Sequence, residues 1–299
     1  MQLTFLGTSS MVPTKARNHN SMFLTYKEHG ILIDCGEGTQ RQLKIAGIKP
    51  SKITMILLTH WHGDHVLGLP GLIQTLGTSE YNGKLRIYGP AGSRMHFEYL
   101  KKAFVFEERM ELEVNEVKDG IFFENDDIEI SAAQMEHTTP CVAYSIKEKD
   151  RRKFDSHKLD KHGVGTGPHF KELEAGKSID WKGKSLHPDE VSQIKKGRKI
   201  TVIMDTRFNN EAVEFAKDSD ILVCESTFVG DMQEKARKYK HMTSLDAGRL
   251  AVESNSKRLV LTHFSQRYKE AETAKKEAQT LFKNVTCAED FMIMNINKE

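Results

Sequence analysis

The sequence predicts an α/β protein in which short buried strands alternate with helices. Short apolar runs recur along the chain, and several end at Gly, Pro, Asn or Asp. Between these runs lie segments long enough for helices. At several places a His or an Asp follows a run directly, and open α/β sheets place their functional sites at strand ends.

The N-terminal half shows this alternation most clearly. Ile53–Leu58, for example, is rich in Ile and Leu and short enough for a buried strand. The sequence after Phe104 changes to closely spaced strand signals, Leu112–Val117 and Ile128–Ala132, which predict an antiparallel meander. The predicted strands before it are Leu3–Leu6, Ile31–Ile33, Ile53–Leu58 and Leu85–Tyr88, and the predicted helices are Gln40–Ala46, Leu69–Leu76 and Ser93–Phe104.

The rest of the chain repeats the pattern, with one predicted strand before residues 147–184, where the composition changes, and the other elements after them. Regular structure is expected to resume at Ile200. The predicted strands are Cys141–Ile146, Thr201–Met204, Ile221–Cys224 and Leu259–Leu261, and the predicted helices are Ser244–Ser254 and Glu270–Phe282.

Composition excludes several classes of protein. The 299 residues include 44 Lys and Arg against 42 Asp and Glu, so the net charge of +2 does not by itself indicate nucleic acid. No apolar run reaches 18 residues, and the first residues do not resemble a signal peptide, so neither a membrane partner nor export is expected. The four widely spaced cysteines favour a reduced, cytoplasmic protein.

Residues 147–184 differ from the rest of the chain. They hold few large apolar residues and carry 11 Lys and Arg against 7 Asp and Glu. Most such charge runs are solvated loops, but a protruding basic arm that contacts a polyanion has the same composition. The turn-rich stretch Gly163–Pro168 is a candidate for an ordered tip.

The strongest motif is Thr59-His60-Trp61-His62-Gly63-Asp64-His65, directly after the predicted strand Ile53–Leu58. Three imidazoles and one carboxylate within six residues suit zinc or another divalent transition metal. These ligands alone cannot surround two metals. Candidates for the remaining ligands follow other predicted strands: His137, Asp205 and His263.

The motif H-x-H-x-D-H after a strand, with a later His, Asp and His, resembles the metallo-β-lactamase superfamily. Within it, the chain is similar to the ribonuclease Z family, the tRNA 3′-processing endonucleases, in its short form. The resemblance runs nearly end to end. It includes Phe5-Leu6-Gly7-Thr8-Ser9, Pro13-Thr14, Arg17-Asn18, Asp34-Cys35-Gly36-Glu37-Gly38-Thr39-Gln40, His65-Val66-Leu67-Gly68-Leu69-Pro70-Gly71-Leu72, Asp205-Thr206-Arg207, Glu225-Ser226-Thr227-Phe228, His241-Met242-Thr243 and His263-Phe264-Ser265-Gln266-Arg267-Tyr268.

This resemblance implies an αββα sandwich formed by residues 1–146 and 185–299, with 147–184 inserted as a flexible tRNA-binding arm. It also implies two zinc ions per subunit, although Mn or Fe suits the same ligands. The implied ligands are His60, His62 and His137 for one ion and Asp64, His65 and His263 for the other, with Asp205 bridging the two.

Two metals suit hydrolysis of a phosphodiester bond. Asp64 would also hold or accept the proton of the attacking water. His241 is the candidate acid for the leaving 3′ oxygen, a position that the resemblance supports. Glu225 would orient and charge that imidazole, unless it is simply a buried carboxylate at a strand end.

Contacts to RNA are assigned to further positions. Arg267 is expected to bind phosphate or base near the site, although a surface salt bridge is the simpler interpretation. Ser9, Thr206 and Arg207 are candidates for phosphate contacts, Arg17 and Asn18 weaker ones, and Gly167 and Pro168 lie at the expected tip of the arm. An arm here would not easily reach its own site, so we expect a two-fold homodimer.

The expected activity is removal of the 3′ trailer from precursor tRNA, leaving a 3′-hydroxyl on the tRNA and a 5′-phosphate on the trailer. One alternative is a general phosphodiesterase or small-molecule hydrolase on the same fold, although a thioester or lactone hydrolase would need neither a basic arm nor Arg267. Another is a non-catalytic RNA-binding protein that keeps its metals for structure, although structural zinc sites leave no open position.

Overall fold

The computed structural model describes residues 1–78, 83–105, 110–165 and 167–297. The strands are β1 (Gln2–Gly7), β2 (Ser21–Tyr26), β3 (His29–Ile33), β4 (Met55–Leu57), β5 (Lys84–Gly89), β6 (Glu111–Glu116), β7 (Gly120–Glu124), β8 (Ile128–Met135), β9 (Cys141–Glu148), β10 (Arg151–Phe154), β11 (Ile179–Trp181), β12 (Lys184–Leu186), β13 (Ser192–Lys195), β14 (Lys199–Ile203), β15 (Ile221–Glu225), β16 (Leu259–Thr262), β17 (Val285–Cys287) and β18 (Ile293–Asn295). The helices are α1 (Thr39–Ile45), α2 (Gly63–Val66), α3 (Leu69–Thr78), α4 (Ser93–Ala103), α5 (Ser156–His162), α6 (Pro168–Glu174), α7 (Pro188–Val191), α8 (Asn210–Ala216), α9 (Gln233–Tyr239), α10 (Ser244–Glu253) and α11 (Glu272–Gln279), with short 3-10 turns at Pro50–Lys52 and Gly230–Met232.

Two large sheets form the body of the protein. Over the described ranges each has seven strands, in the orders β18-β1-β2-β3-β4-β5-β6 and β17-β16-β15-β14-β9-β8-β7. In the first sheet β3 to β6 run parallel, and in the second β14 to β17 do so. Antiparallel strands complete both sheets.

The sheets pack face to face, and helices cover both outer faces. Side chains of both sheets share the central core, among them Phe5 and Leu24 from the first sheet and Tyr144 and Val202 from the second. Helices α1, α3 and α4 bury Leu43, Leu72 and Phe97 on the first sheet, and helices α8, α10 and α11 bury Ala212, Leu250 and Ala278 on the second. The αββα prediction is therefore confirmed.

The predicted meander was only partly right. The strand predicted at Leu112–Val117 is β6, which pairs in parallel with β5 and belongs to the first sheet. The antiparallel series consists instead of β7, β8 and β9 in the second sheet. Strand periodicity alone does not assign a strand to a sheet, and this is why Leu112–Val117 and Ile128–Ala132 were placed in one meander; the strand at Gly120–Glu124 was not predicted.

The inserted segment contains regular structure that composition did not predict. Strands β10 and β13 pair as an antiparallel stalk, and β11 pairs with β12. Beyond the stalk a small separate core contains Val164, Leu173, Ile179, Leu186 and Val191. Ordered elements thus continue to Lys195, beyond the predicted limit of Lys184 and before Ile200, where regular structure was expected to resume. Thr166, within the predicted tip, lies outside the described residues.

The ends of the strands determine where functional side chains gather. Strands β4, β14, β15 and β16 all point their carboxyl ends to one edge of the sandwich. The stalk of the insertion leaves the opposite end, because β9 runs from Cys141 near that edge to Glu148 away from it. None of the helices in the described ranges has the length and hydropathy that a membrane crossing requires.

Candidate metal centre

The first half of the centre is the loop after β4, which carries His60 and His62, and helix α2, which carries Asp64 and His65. The loop is tied to the rest of the sandwich, because Thr59 O accepts a hydrogen bond from Val142 N at 2.9 Å. The chain after α2 packs tightly on the loop that follows β3. A Cβ on Gly68 would lie 2.1 Å from Gly36 O, so only glycine allows this approach.

The second half comes from the other sheet. His137 follows β8, Asp205 follows β14 and His263 follows β16. His263 has a φ of 61°, in the left-handed region that non-glycine residues rarely adopt. Such backbone conformations cluster at functional sites, where the surrounding structure holds them in place. The structure brings all seven side chains named from the sequence to one edge.

One group of donors contains His60, His62, His137 and Asp205. His62 Nδ1 lies 3.0 Å from His60 Nε2 and 3.3 Å from His137 Nε2. Asp205 Oδ2 lies 3.6 Å from His60 Nε2 and 3.7 Å from His137 Nε2. Three ring nitrogens and one carboxylate oxygen therefore converge on one point.

A second group contains Asp64, His65 and His263. The two Nε2 atoms lie 3.1 Å apart, and Asp64 Oδ2 lies 3.4 Å from each of them. The other oxygen of Asp205, Oδ1, lies 3.6 Å from His65 Nε2 and 3.2 Å from His263 Nε2. Asp205 thus lies between the two groups and presents one oxygen to each.

Hydrogen bonds on the far side of the rings leave Nε2 as the inward-facing lone pair of four histidines. Asp34 Oδ2 accepts from His65 Nδ1 at 2.7 Å, and Lys240 O accepts from His137 Nδ1 at 3.1 Å. Thr59 Oγ1 donates to Asp34 and Thr227 Oγ1 donates to Glu225, so these hydroxyls accept from His60 Nδ1 and His263 Nδ1 respectively. Bonds of this kind fix the ring tautomer that binds metal.

The electrostatics agree with a cation site. Burial would raise the pKa of Asp205, but positive charge on the surrounding histidines, His263 and His65 foremost, holds that pKa well below its usual range, and a divalent metal bound by the neutral rings would supply the same positive charge. Burial lowers the pKa of His60 well below 6.5. Asp205 Oδ1 is buried without a hydrogen-bond donor among the described residues. Facing imidazole lone pairs beside ionised carboxylates are the surroundings that a divalent metal stabilises.

His241 and Glu225 adjoin the second group. His241 Nδ1 lies 3.0 Å from Glu225 Oε1 and 3.9 Å from Asp205 Oδ2. Burial alone would lower the pKa of His241, but Glu225 and Asp205 outweigh it and raise that pKa to about 9. Glu225 is fully buried at the end of β15, and Thr206 N also donates to it at 2.8 Å. Glu225 and Asp205 therefore favour the protonated form of this imidazole, and Glu225 holds the ring in one orientation.

The side chains assigned to RNA contact differ in their exposure and in the partners that they already have. Arg267 is exposed; its Nε donates to Ser265 Oγ at 3.0 Å and its guanidinium lies 5.3 Å from the Phe228 ring centre. Arg207 is exposed but paired with Glu136 at 2.5 Å. Ser9 is buried, with its hydroxyl donating to Val12 O at 2.8 Å.

The remaining candidates serve the local structure. The buried Thr206 hydroxyl bonds to main-chain oxygens of its own neighbourhood. Gly167 and Pro168 begin α6 within the insertion, away from the metal centre, with Pro168 in the first turn. Arg17 donates to Tyr268 O at 2.7 Å, and Asn18 donates to Glu37 O at 2.7 Å, so both hold neighbouring loops.

Sequence reasoning assigned no role to Asp34, although this carboxylate organises the centre. It has a φ of 57° and accepts from His65, from Asn20 Nδ2 at 2.9 Å and from Thr59 N at 2.8 Å. The available signal was its position directly after the buried strand β3, the same signal that identified Asp205. Thr227 was likewise missed, since a hydroxyl that supports a ligand has no spacing signature.

An αββα sandwich with a His and Asp cluster at one edge defines the metallo-β-lactamase fold. The chain superposes on the metallo-β-lactamase fold protein YhfI from Bacillus subtilis with a TM-score of 0.72, at 19% identity and with 98% of both chains covered.

The comparisons also identify relatives with a named activity. Human tRNase Z, short form, superposes with a TM-score of 0.73 at 28% identity, covering 99% of this chain and 100% of that one. A family model for the anti-Pycsar protein Apyc1 matches residues 1–157, which end before Asp205 and His263. Ribonuclease Z from Methanothermobacter thermautotrophicus is 38% identical over 297 residues, which cover 99% of this chain and 97% of the relative. The chain belongs to the ribonuclease Z family.

Proposed function

We propose that this protein is an endoribonuclease that removes the 3′ trailer from precursor tRNA, leaving a 3′-hydroxyl on the tRNA and a 5′-phosphate on the trailer. The observation that carries the proposal is the placement of His241, backed by Glu225, beside two converging groups of metal donors. Family membership supports the substrate class.

The donor atoms fit two divalent metals. The shared buried carboxylate of Asp205 and the close ring nitrogens are unfavourable together without cations. We assign His60, His62 and His137 to one ion, Asp64, His65 and His263 to the other, and Asp205 to both. Imidazole and carboxylate donors suit zinc, and also Mn or Fe. When bound, such a pair neutralises phosphate charge and lowers the pKa of water.

The side chains of this protein then supply proton transfers. Asp64 Oδ2 accepts a hydrogen bond from Met11 N at 2.7 Å and projects into the centre, where it can hold the proton of the attacking water. On the other side, protonated His241 donates to the leaving 3′ oxygen. Glu225 keeps the imidazole charged before the reaction and holds Nδ1, so that the other ring nitrogen faces the substrate.

The insertion and a homodimer belong to the same proposal. The stalk β10–β13 leaves the sandwich at the end opposite the metal centre. Strand β9 alone separates the two ends by about 23 Å, at roughly 3.3 Å per residue. An arm of this placement reaches substrate more readily at the site of a second subunit, with Gly167 and Pro168 near its tip and Arg267 near the metals. Four free cysteines support a reducing compartment, the cytoplasm.

The experiment is cleavage of a precursor tRNA with a 3′ trailer, before and after chelation, with both product ends mapped. A single metal-dependent cut beside the acceptor stem, with a 3′-hydroxyl on the tRNA, is the expected result. Binding without cleavage in the presence of metal would favour a binding module instead. If the protein hydrolyses bis(p-nitrophenyl) phosphate but neither binds nor cuts the RNA, the general phosphodiesterase is the better description.

A further inference from the structure

A large cavity of about 1060 Å³, with many charged side chains around it, lies at the end of the sandwich opposite the metal centre. It is formed where β14 and β15 begin and where β9 ends, and it reaches the C-terminal residues after β18. We name it the basal groove and define it by Lys147, Asp150, Lys196, Lys199, Lys257 and Arg258. None of these side chains takes part in the site described above.

The basal groove carries an excess of positive charge. Among the residues that the structure describes, eight Lys and Arg and five Asp and Glu line it, a local excess of three charges in a chain whose total is +2. The five carboxylates already have donors. Asp150 accepts from Lys196 Nζ and Asp220 from Lys257 Nζ, both at 2.8 Å, and the others contact Lys149, Lys217 and Asn255.

Two cations remain without such partners. Across the described ranges, neither the Lys147 ammonium nor the Arg258 guanidinium has a hydrogen bond or a salt bridge within 4 Å, although Lys147 is near enough to Asp150 to help lower the pKa of that carboxyl, and both side chains are exposed. Lys147 lies opposite Lys199 across the β9–β14 pair. Burial lowers the pKa of Lys199, and the charge of Lys147 lowers it further, although Asp218 opposes this effect. An anion at this position would relieve the repulsion.

The shape of the groove favours an extended anion. Sites for small molecules are mostly apolar and enclosed, with a few polar groups. This groove is partly open to solvent, and charged and amide side chains make up most of its lining residues, beside Phe215, Ile221 and Ile296. It also borders the stalk of the insertion, because Lys195 is the last residue of β13, and Asp150 and Lys196 are the residues directly next to the two stalk strands. Contacts to a nucleic-acid backbone have this character, since phosphates are bound by Lys and Arg without regard to sequence.

We propose that the basal groove binds phosphates of the RNA backbone at a distance from the scissile bond, with Lys147 and Arg258 as the principal contacts. The inference rests on the proposed function, because it assumes an RNA substrate. It gives the end of the sandwich opposite the metal centre a role in binding RNA, together with the insertion. The groove contributes to substrate affinity and leaves the chemistry of the metal centre unchanged.

The test compares Lys147→Glu and Arg258→Glu with Lys102→Glu, an exposed lysine on α4. Each groove variant is expected to raise KM for precursor tRNA about tenfold, the value of one charge-assisted hydrogen bond. The slope of log Kd against log salt should become shallower by about 0.7–0.9 for each phosphate that the variant no longer neutralises. The groove variants should turn over bis(p-nitrophenyl) phosphate at the wild-type rate. The control Lys102→Glu should match the wild type in KM, in the salt slope and in this turnover.

The outcomes separate the two proposals. If the wild type does not cleave precursor tRNA, the proposed function fails. If it does, and the groove variants behave like Lys102→Glu, the groove inference is overturned and an acidic protein becomes the better partner. Lys147→Gln and Arg258→Gln repeat the comparison if a reversed charge impairs folding. If these neutral variants have the same slope of log Kd against log salt as the wild type, the inference is also contradicted.

Discussion

Asp34 Oδ2 accepts the hydrogen bond of His65 Nδ1 at 2.7 Å, and both side chains are fully buried. The carboxylate thereby selects the tautomer in which Nε2 faces His263 and Asp205. Because Asp34 lies on the loop after β3 and His65 on α2, this one bond also sets the position of the metal loop relative to the first sheet.

Loss of the Asp34 carboxylate should therefore weaken metal binding while leaving the direct donors in place. Asp34→Asn is expected to lower metal affinity about 10–100-fold, the usual effect of removing such a supporting bond. Competition with a chromogenic chelator measures it. Asp126→Asn, at an exposed carboxylate, is the control. Equal affinities in the two variants would contradict the assigned role of Asp34.

His241 should determine the alkaline side of the pH profile. Its pKa is raised to about 9, chiefly by Glu225 once burial is offset, so the acid form is present near neutral pH and disappears above that value. Glu225→Gln removes the negative charge, lowers the pKa of His241 and should move the alkaline limb of kcat to lower pH. An unchanged profile would show that Glu225 does not act through His241.

The acid role itself has a chemical test. His241→Ala is expected to reduce kcat about 10²–10⁴-fold, the usual contribution of a general acid. A substrate with sulfur in place of the leaving 3′ oxygen needs no protonation, so it should restore most of the rate. Equal defects on the oxygen and sulfur substrates would mean that His241 supports the structure or binding instead.

Arg267 should affect the RNA substrate alone. Its guanidinium is exposed beside the centre and has no carboxylate partner over the described ranges. Arg267→Ala is expected to raise KM for precursor tRNA at least about tenfold, with a partial effect for Arg267→Lys, which keeps charge but loses bidentate geometry. Hydrolysis of bis(p-nitrophenyl) phosphate should not change. A parallel loss on both substrates would place Arg267 in the structural framework.

A buried network away from the centre should control stability at high pH. Tyr26 Oη donates to the fully buried Glu148 at 2.6 Å, and burial, followed by this contact, raises the pKa of Tyr26 from 10.0 to about 12. The unfolded chain then loses the tyrosine proton before the folded protein does. The free energy of unfolding should fall as pH rises from 10 towards 12.

Tyr26→Phe should remove that part of the pH dependence. It should also lower the free energy of unfolding at neutral pH by about 1–3 kcal/mol, because Glu148 loses a donor. Urea unfolding at several pH values measures both effects. The ion pair of Glu148 with Arg198 at 2.7 Å remains in the variant. Identical pH dependence in the two proteins would exclude Tyr26 as its source.

The sequence predicted the αββα fold and the convergence of His60, His137, Asp205 and His263 on one edge, because both follow from short apolar strands and the residues that come directly after them. Strands such as Ile53–Leu58 are apolar runs, and parallel strands carry the residues after them to a common edge. Asp34 shows where this reasoning ends, because its role depends on a partner 31 residues away that only the folded chain brings near. The small core around Leu173 and Val191 was missed for a similar reason, since its apolar residues are scattered among charges.

The proposed metal donors come from both sheets: His60, His62, Asp64 and His65 from the first, and His137, Asp205 and His263 from the second. Bound ions would therefore link the two sheets, and with them the two halves of the polypeptide. Because only the folded protein brings these donors together, metal binding would raise the free energy needed to separate the sheets. Melting temperature should climb with free metal concentration, and chelation should loosen this edge first, which hydrogen exchange at β4 and β16 would register.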